Sequence, residues 1–420
     1  MNISTIKPLI QQHARDAVFY WQQINTGCFS PLITTEKHHH FHRQLNAHLD
    51  GLRAADDDGR DAAFKNYARW KTQGEAFICW LLALEKNDQS HIDALKKIAI
   101  GNVEQSILGM TEAVAWLPNN QARLILTHWR QEAILDEQML EAWLRATGIA
   151  GIVPEEDLSP LLRHTNPRIR AACCESIGKL RLHIYQKSII DMLTDSIVDV
   201  REEAILALAW LSPQVDIVDE LHTLLVYHLQ HAPTRGLAAL LIKRKLEYIA
   251  RIMGLCLHQR DPRLELILSA LPERLRLITL AYHGDPMQLP ILYKAMENED
   301  TARLAFWATC FISGLDMTIP EHYDSTSKLT KIDEQQLSFR SDDQDIGLIW
   351  PDVPKVVSNC HSLKLPMGPI VLGKEISTTY CHKLLDTGNQ AIRFAATWHF
   401  AKNDITTRRI DTRKLRSDSL

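Results

Sequence analysis

The feature that most constrains this chain is one helical pattern written twice between Thr165 and Leu211. The first copy reads Asn166-Pro167-Arg168-Ile169-Arg170-Ala171-Ala172-Cys173-Cys174-Glu175-Ser176-Ile177-Gly178-Lys179-Leu180. The second reads Val198-Asp199-Val200-Arg201-Glu202-Glu203-Ala204-Ile205-Leu206-Ala207-Leu208-Ala209-Trp210-Leu211. Ile169, Cys173, Ile177 and Leu180 match Val200, Ala204, Leu208 and Leu211 at a constant offset of 31 residues, and Arg170 matches Arg201 at that same offset. A fixed short period marks a solenoid, in which each unit buries its apolar face only against its neighbours. The expected fold class is all-α, an α-solenoid of short repeats whose surface binds something.

Composition narrows the function classes. With 45% hydrophobic and 23% charged residues the chain reads as a soluble globular protein. A net charge of −4 advertises neither nucleic acid nor an anionic membrane. Met1 to Gln12 is polar-interrupted, unlike a secretory signal. The longest strongly apolar run, Ala76 to Leu84, falls far short of the roughly 18 residues of a membrane span. The eight cysteines are scattered, several on apolar helical faces, so buried reduced thiols in a cytoplasmic protein are expected.

Residues 1–90 read as a helical head. Phe41, Leu45, Leu49 and Leu52 follow helical spacing, a second helix runs from Arg60 to Trp70, and a third runs from Gly74 to Glu85. That third helix is apolar almost all round, so it should be buried. Residues 91–315 form the repeat region. A degenerate first unit (Ala94 to Leu117) and a pair at Leu124–Arg130 and Met139–Ala146 precede the two clear copies. The pattern blurs through Leu221–Ala250 and returns around Pro286 and in Ala302–Cys310, where Arg303 takes the place of Arg170 and Arg201. Period-2 runs of β-branched residues are absent. Residues 316–347 are polar, acidic and aperiodic, which reads as a linker. Residues 348–420 read as a small C-terminal domain. Its last stretch carries Arg408, Arg409, Arg413, Lys414 and Arg416, and such a basic run is expected to be solvated and frayed.

The 31-residue unit, with Pro or Asp before a β-branched residue, then Arg, then a small-residue helix, is similar to short HEAT-like repeats of the kind found in phycobilisome lyases. A closer resemblance covers nearly the whole chain. It rests on Ala47-His48-Leu49-Asp50-Gly51-Leu52-Arg53, on Gly74-Glu75-Ala76-Phe77 with Leu82-Ala83-Leu84-Glu85, on Gly314-Leu315-Asp316 and on Trp350-Pro351-Asp352. In these the chain resembles an uncharacterised bacterial HEAT-repeat family encoded in type VI secretion gene clusters. It departs from that pattern at Ile349 and around Cys360. The resemblance implies a cytoplasmic accessory protein of the secretion machine or its cargo, and it implies no reaction.

Candidate chemistry has a plainer reading at every position. His38 and His42 sit one helical turn apart and invite a metal, but a polar helix start accounts for them. Cys360-His361 and Cys381-His382 supply two thiols and two imidazoles without the usual two-residue gap, so coincidence and packing are preferred to zinc. His222, His228 and His231 read as surface or satisfied core histidines. Arg170, Arg201 and Arg303 form either an anion ladder or, preferred here, forks that bridge to a neighbouring unit's Asp or carbonyl. Nucleophile-elbow, phosphate-loop, dinucleotide and zincin motifs are missing, so no catalytic residue, cofactor or metal ligand is assigned.

One difference between the copies is informative. Glu175 and Lys179 in the first become Leu206 and Trp210 in the second, and Ala308 and Ile312 after Arg303. These positions are expected to face away from the inter-helix core. A row turning from charged to apolar is either a partner-binding patch on the solenoid or a face that later segments fold back over. The leading expectation is a non-enzymatic scaffold that acts as adaptor, chaperone or immunity protein, with a secreted effector, toxin or spike-associated component as partner. The alternative is an enzyme resembling the HEAT-like lyases, acting on a protein-bound group.

Overall fold

The computed structural model describes residues 6–100, 103–211, 215–317, 319, 322, 344–404, 406 and 408–415. Among them the fold is all-α apart from one short hairpin. The chain forms two compact units, Met1–Ser212 with Asp404–Leu420, and Pro213–Asn403. This grouping differs from the expected division into four segments. The break falls inside the 91–315 repeat region, where helical periodicity simply continues on both sides. The last residues belong with the first unit, not with a C-terminal domain.

Unit 1 opens with helices α1 (Lys7–Thr26), α2 (Thr35–Ala54), α3 (Asp56–Trp70) and α4 (Gln73–Lys86). Helix α1 was not anticipated, although Ile10, Ala14, Ala17, Val18, Trp21 and Ile24 are its buried stripe. Helix α4 is buried from Ala76 to Leu84, as its apolar circumference requires. Trp21 stacks on Phe77 with ring centroids 5.0 Å apart. Arg53 donates two hydrogen bonds to Glu85, at 2.9 and 2.6 Å, so two of the stretches that carry the family resemblance meet in one ion pair.

The unit continues through α5 (Gln89–Ile100), α6 (Val103–Trp116), α7 (Asn119–Glu132), α8 (Glu137–Ala150), α9 (Ser159–Leu162), α10 (Pro167–Leu180), α11 (Gln186–Asp191) and α12 (Val198–Leu211). The long even-numbered helices pack in sequence, α4 on α6, α6 on α8, α8 on α10 and α10 on α12. Each is preceded by a partner that shrinks to a single turn at α9. Asn166 caps α10 by accepting from the Arg168 amide, and Pro167 occupies the first turn, where its missing N–H costs nothing.

The first and the last of these pairs touch through glycine. A Cβ on Gly178 would lie 2.6 Å from the Ala207 Cα, and one on Gly109 would lie 2.5 Å from the Ala76 Cβ. Gly178→Ala should therefore destabilise unit 1 by about 1–3 kcal/mol through overpacking, despite the roughly 1 kcal/mol that alanine favours in a free helix. Amide hydrogen exchange across α10 and α12 measures this. Protection equal to that of the unsubstituted chain would show that the two helices have room to part.

Unit 2 contains α13 (Val218–Gln230), α14 (Gly236–Cys256), α15 (Leu264–Ser269), α16 (Glu273–His283), α17 (Leu289–Ala295) and α18 (Ala302–Ser313). Helices α14, α16 and α18 again pack in a row. After them come α19 (Val353–Ser362), the hairpin β1 (Ile370–Val371) and β2 (Lys374–Glu375), α20 (Thr378–Thr387) and α21 (Gln390–Asn403). The hairpin pairs Ile370 with Glu375 and Val371 with Lys374. It closes the helix ends by donating from the Ile370, Leu372 and Gly373 amides to the carbonyls of Gly284, Phe311 and Ile312. Those carbonyls have no partner inside their own helices, which is why a strand edge can dock there. Of the acidic 316–347 segment, Asp324, Asp333, Glu334, Asp342 and Asp343 lie outside the described residues. Asp345 is buried and accepts from Arg274 at 2.6 Å.

Candidate functional site

The six residues of the expected face do not make one open surface. Glu175 and Lys179 on α10 and Leu206 and Trp210 on α12 share unit 1, whereas Ala308 and Ile312 lie in unit 2. Ala308 and Ile312 are fully buried, in the helix whose end the hairpin covers. Leu206 is half-buried, and Trp210 is only 2% exposed. The outward exposure expected of Trp210, Ala308 and Ile312 is thus corrected. The alternative that later segments fold over the row is what the geometry shows.

The cover on Trp210 comes from residues 404, 406 and 408–415, here called the strap. The Arg409 guanidinium lies over the Trp210 ring, 4.0 Å from its centroid. Arg181, at the end of α10, donates to the Trp210 carbonyl at 3.0 Å and to the Asp404 carbonyl at 2.9 Å. Further along, Arg408 donates to the Gly151 carbonyl and Lys414 to the Ala115 carbonyl. Arg413 reaches Glu112 on α6 and Asn25 on α1. The strap therefore touches α1, α6, α10, α12 and the residue that ends α8.

Short polar side chains hold the strap out of a helix. Asp404 accepts from the Thr406 amide and hydroxyl, and Asp411 accepts from the Arg413 amide. Such turns divert backbone donors from a helical ladder. The Arg413 carbonyl accepts from His38 Nε2 at 3.0 Å and His42 Nε2 at 2.8 Å, so both rings carry their proton on Nε2. Neither histidine is an exposed helix start. Both are buried, and His42 also stacks on Trp116. The pair spaced like metal ligands converges on a main-chain oxygen.

The helices behind the strap carry a network of paired carboxylates and cations. Glu141 is buried between Arg145 and Arg168, at 3.1 and 2.7 Å. Glu175 accepts from Lys179 at 2.5 Å and also pairs with Arg145. Burial pushes the Glu175 carboxyl up, but Lys179 and Arg145, with Arg409 beyond them, more than reverse this and hold it low. Glu203 is driven the other way. Burial first, then the neighbouring Glu175 and Glu202, push its carboxyl well above the usual carboxylate range. Burial opposes ionisation of Asp411 as well, yet Arg413 keeps it well below the usual carboxylate range.

The remaining candidates settle into structural roles. Arg170 donates to both carboxylate oxygens of Asp195, at 2.8 and 2.9 Å, and to the His164 and Thr165 carbonyls. Arg201 donates to the Asp195 carbonyl. These are the bridging forks expected of the repeat arginine. Arg303 instead lies against the Trp350 ring, with 5.0 Å to its centroid. Cys360 and Cys381 are buried on separate helices, and His231 donates to the Tyr227 carbonyl. Among the described residues no group of three or more His, Cys, Asp or Glu is placed to hold a metal. No helix among them is long and apolar enough to cross a membrane.

Protein-family models, curated proteins and solved structures return no match to this chain.

The residues that build this site were mostly passed over by sequence reasoning. Glu112, Arg145, Arg181 and the strap arginines lack any motif. The available signal was the pairing of Glu112 and Glu175 with a basic stretch at Arg408–Lys414.

Proposed function

We propose that this protein is a non-enzymatic, protein-binding scaffold, an α-solenoid of short HEAT-like repeats that grips an extended polypeptide along α6, α8, α10 and α12. The observation that carries this reading is the strap itself, a non-helical segment held across consecutive long helices by main-chain and side-chain bonds. A row of stacked helices presents regularly spaced groups to one edge, and extended chains suit such a surface. The finer reading rests on the family resemblance. Under it the protein is a cytoplasmic accessory factor for type VI secretion, and the bound polypeptide belongs to a secreted effector, a toxin or a spike-associated component.

Affinity capture from the producing cell, with the full chain as bait, tests this. One protein is expected at one-to-one stoichiometry. Glu112→Gln combined with Glu175→Gln, which keeps shape but removes two wall charges, should reduce its recovery at least tenfold while helical circular dichroism is unchanged. A partner recovered equally by both baits, or no stoichiometric partner at all, overturns the reading.

A further inference from the structure

We infer that the strap is an intramolecular ligand, and that the protein partner enters the same groove with an extended segment bearing two arginines four residues apart. This rests on the scaffold reading above and names the chemistry of its ligand.

The strap is held as a ligand is held, not as a core element. A segment that completes a core buries its aliphatic side chains. Here Ile410 and Leu415 are only partly buried and neither reaches the core, while Thr412 is 6% exposed. The grip comes instead from two cations and from main-chain groups. Arg409 lies on the Trp210 face near Glu175, and Arg413 reaches Glu112 and Asn25 together. Between them lies a four-residue step that includes the turn at Asp411.

The main-chain contacts are indifferent to sequence. Those from His38 and His42 to the Arg413 carbonyl, and from Arg181 to the Asp404 carbonyl, would form with any residue at those positions. Selectivity therefore resides in the two side chains, and both sites suit a guanidinium. Its flat face stacks on an indole, and at the second site Nη1 serves the Glu112 carboxylate and the Asn25 amide while Nε and Nη2 hold Asp411 of the strap itself. An ammonium can neither lie flat on the ring nor bind Glu112, Asn25 and Asp411 through separate nitrogens. The buried Thr412 adds a preference for a small residue just before the second arginine.

Much of the wall stands without the strap. Arg145 and Lys179 hold Glu175, and Arg145 and Arg168 hold Glu141, so an incoming segment meets a preorganised surface. Departure of the strap strips Glu112 and Trp210 of their arginines, and those two groups favour an arginine-bearing replacement. A tethered strap competes at an effective concentration on the order of millimolar. The strap thereby sets a threshold that only a well-matched partner exceeds.

The test uses the full chain, unsubstituted or carrying Arg413→Ala, and a fluorescein-labelled synthetic peptide of residues 404–415 read by anisotropy. The Arg413→Ala chain should bind the peptide one-to-one and at least tenfold more tightly than the unsubstituted chain. A peptide with both Arg409 and Arg413 replaced by alanine should lose at least thirtyfold, and one with lysine at both positions at least tenfold. If the Arg413→Ala chain binds all three peptides alike, the arginine rule is wrong while the groove survives. If it stays folded and binds none, both the rule and the scaffold reading fail. If it unfolds, the strap is core and the inference is overturned. If light scattering shows it pairing by exchanged straps, the occupant is a second copy, and the proposed partner is overturned.

Discussion

Arg413→Ala is expected to lower the stability of unit 1 by about 3 kcal/mol, the scale for breaking one side of a largely buried charge network. Glu112 is buried on α6 and receives Arg413, while Asn25 and Asp411 take the rest of the guanidinium. The loss should then stop. If the strap is a ligand, it contributes no more than its own binding free energy, and a chain whose strap has detached has nothing further to lose from it. Arg409→Ala added to Arg413→Ala is therefore expected to cost less than about 1 kcal/mol more, well short of the sum of the single effects. Hydrogen exchange on α6, α8, α10 and α12 measures both. Additive losses, with the four helices opening together, would mean that the strap is an integral part of the fold.

Why the strap was not legible follows from where its partners sit. Read locally, Arg408, Arg409, Arg413 and Lys414 form a basic run, and a basic run is normally solvated. Its burial depends on Glu112, His38 and His42, each about 300 or more residues away in sequence. No local period reports such pairings. The repeat helices are the opposite case. The 31-residue offset places Arg170 and Arg201 on equivalent turns, and both reach Asp195 in the connection between their helices. The burial of α4 follows from its apolar circumference alone.

Two other differences have physical causes of the same kind. Helix α1 carries its buried stripe at helical spacing, but Gln11, Gln12 and His13 interrupt the run and hide it. The unit boundary at 212 and 213 is silent because α12 and α13 are both apolar helices. Periodicity reports a helix's faces and not which body it joins. In α10 and α12, Glu175, Lys179, Leu206 and Trp210 do sit in register on neighbouring helices of one unit. What the pattern could not carry was the occupant.

Trp210→Ala is expected to cost unit 1 about 3–5 kcal/mol, the range for truncating a buried tryptophan, and to free the strap as well. The indole is only 2% exposed, with Arg409 over it and its own carbonyl held by Arg181. Two losses are therefore combined, a cavity in α12 and the stacking surface for Arg409, the second worth about 0.5–2 kcal/mol. Trp210→Phe separates them. It keeps an aromatic face and most of the volume, so it should retain the strap while losing about 1–2 kcal/mol. Tryptic cleavage after Arg408 and Arg409 reads the strap directly. It should be fast in Trp210→Ala, slow in Trp210→Phe, and as fast in Arg409→Ala, by cleavage after Arg408, as in Trp210→Ala. If cleavage in Arg409→Ala instead stays as slow as in the unsubstituted chain, the cation on the indole does not hold the strap, and Arg413 alone anchors it.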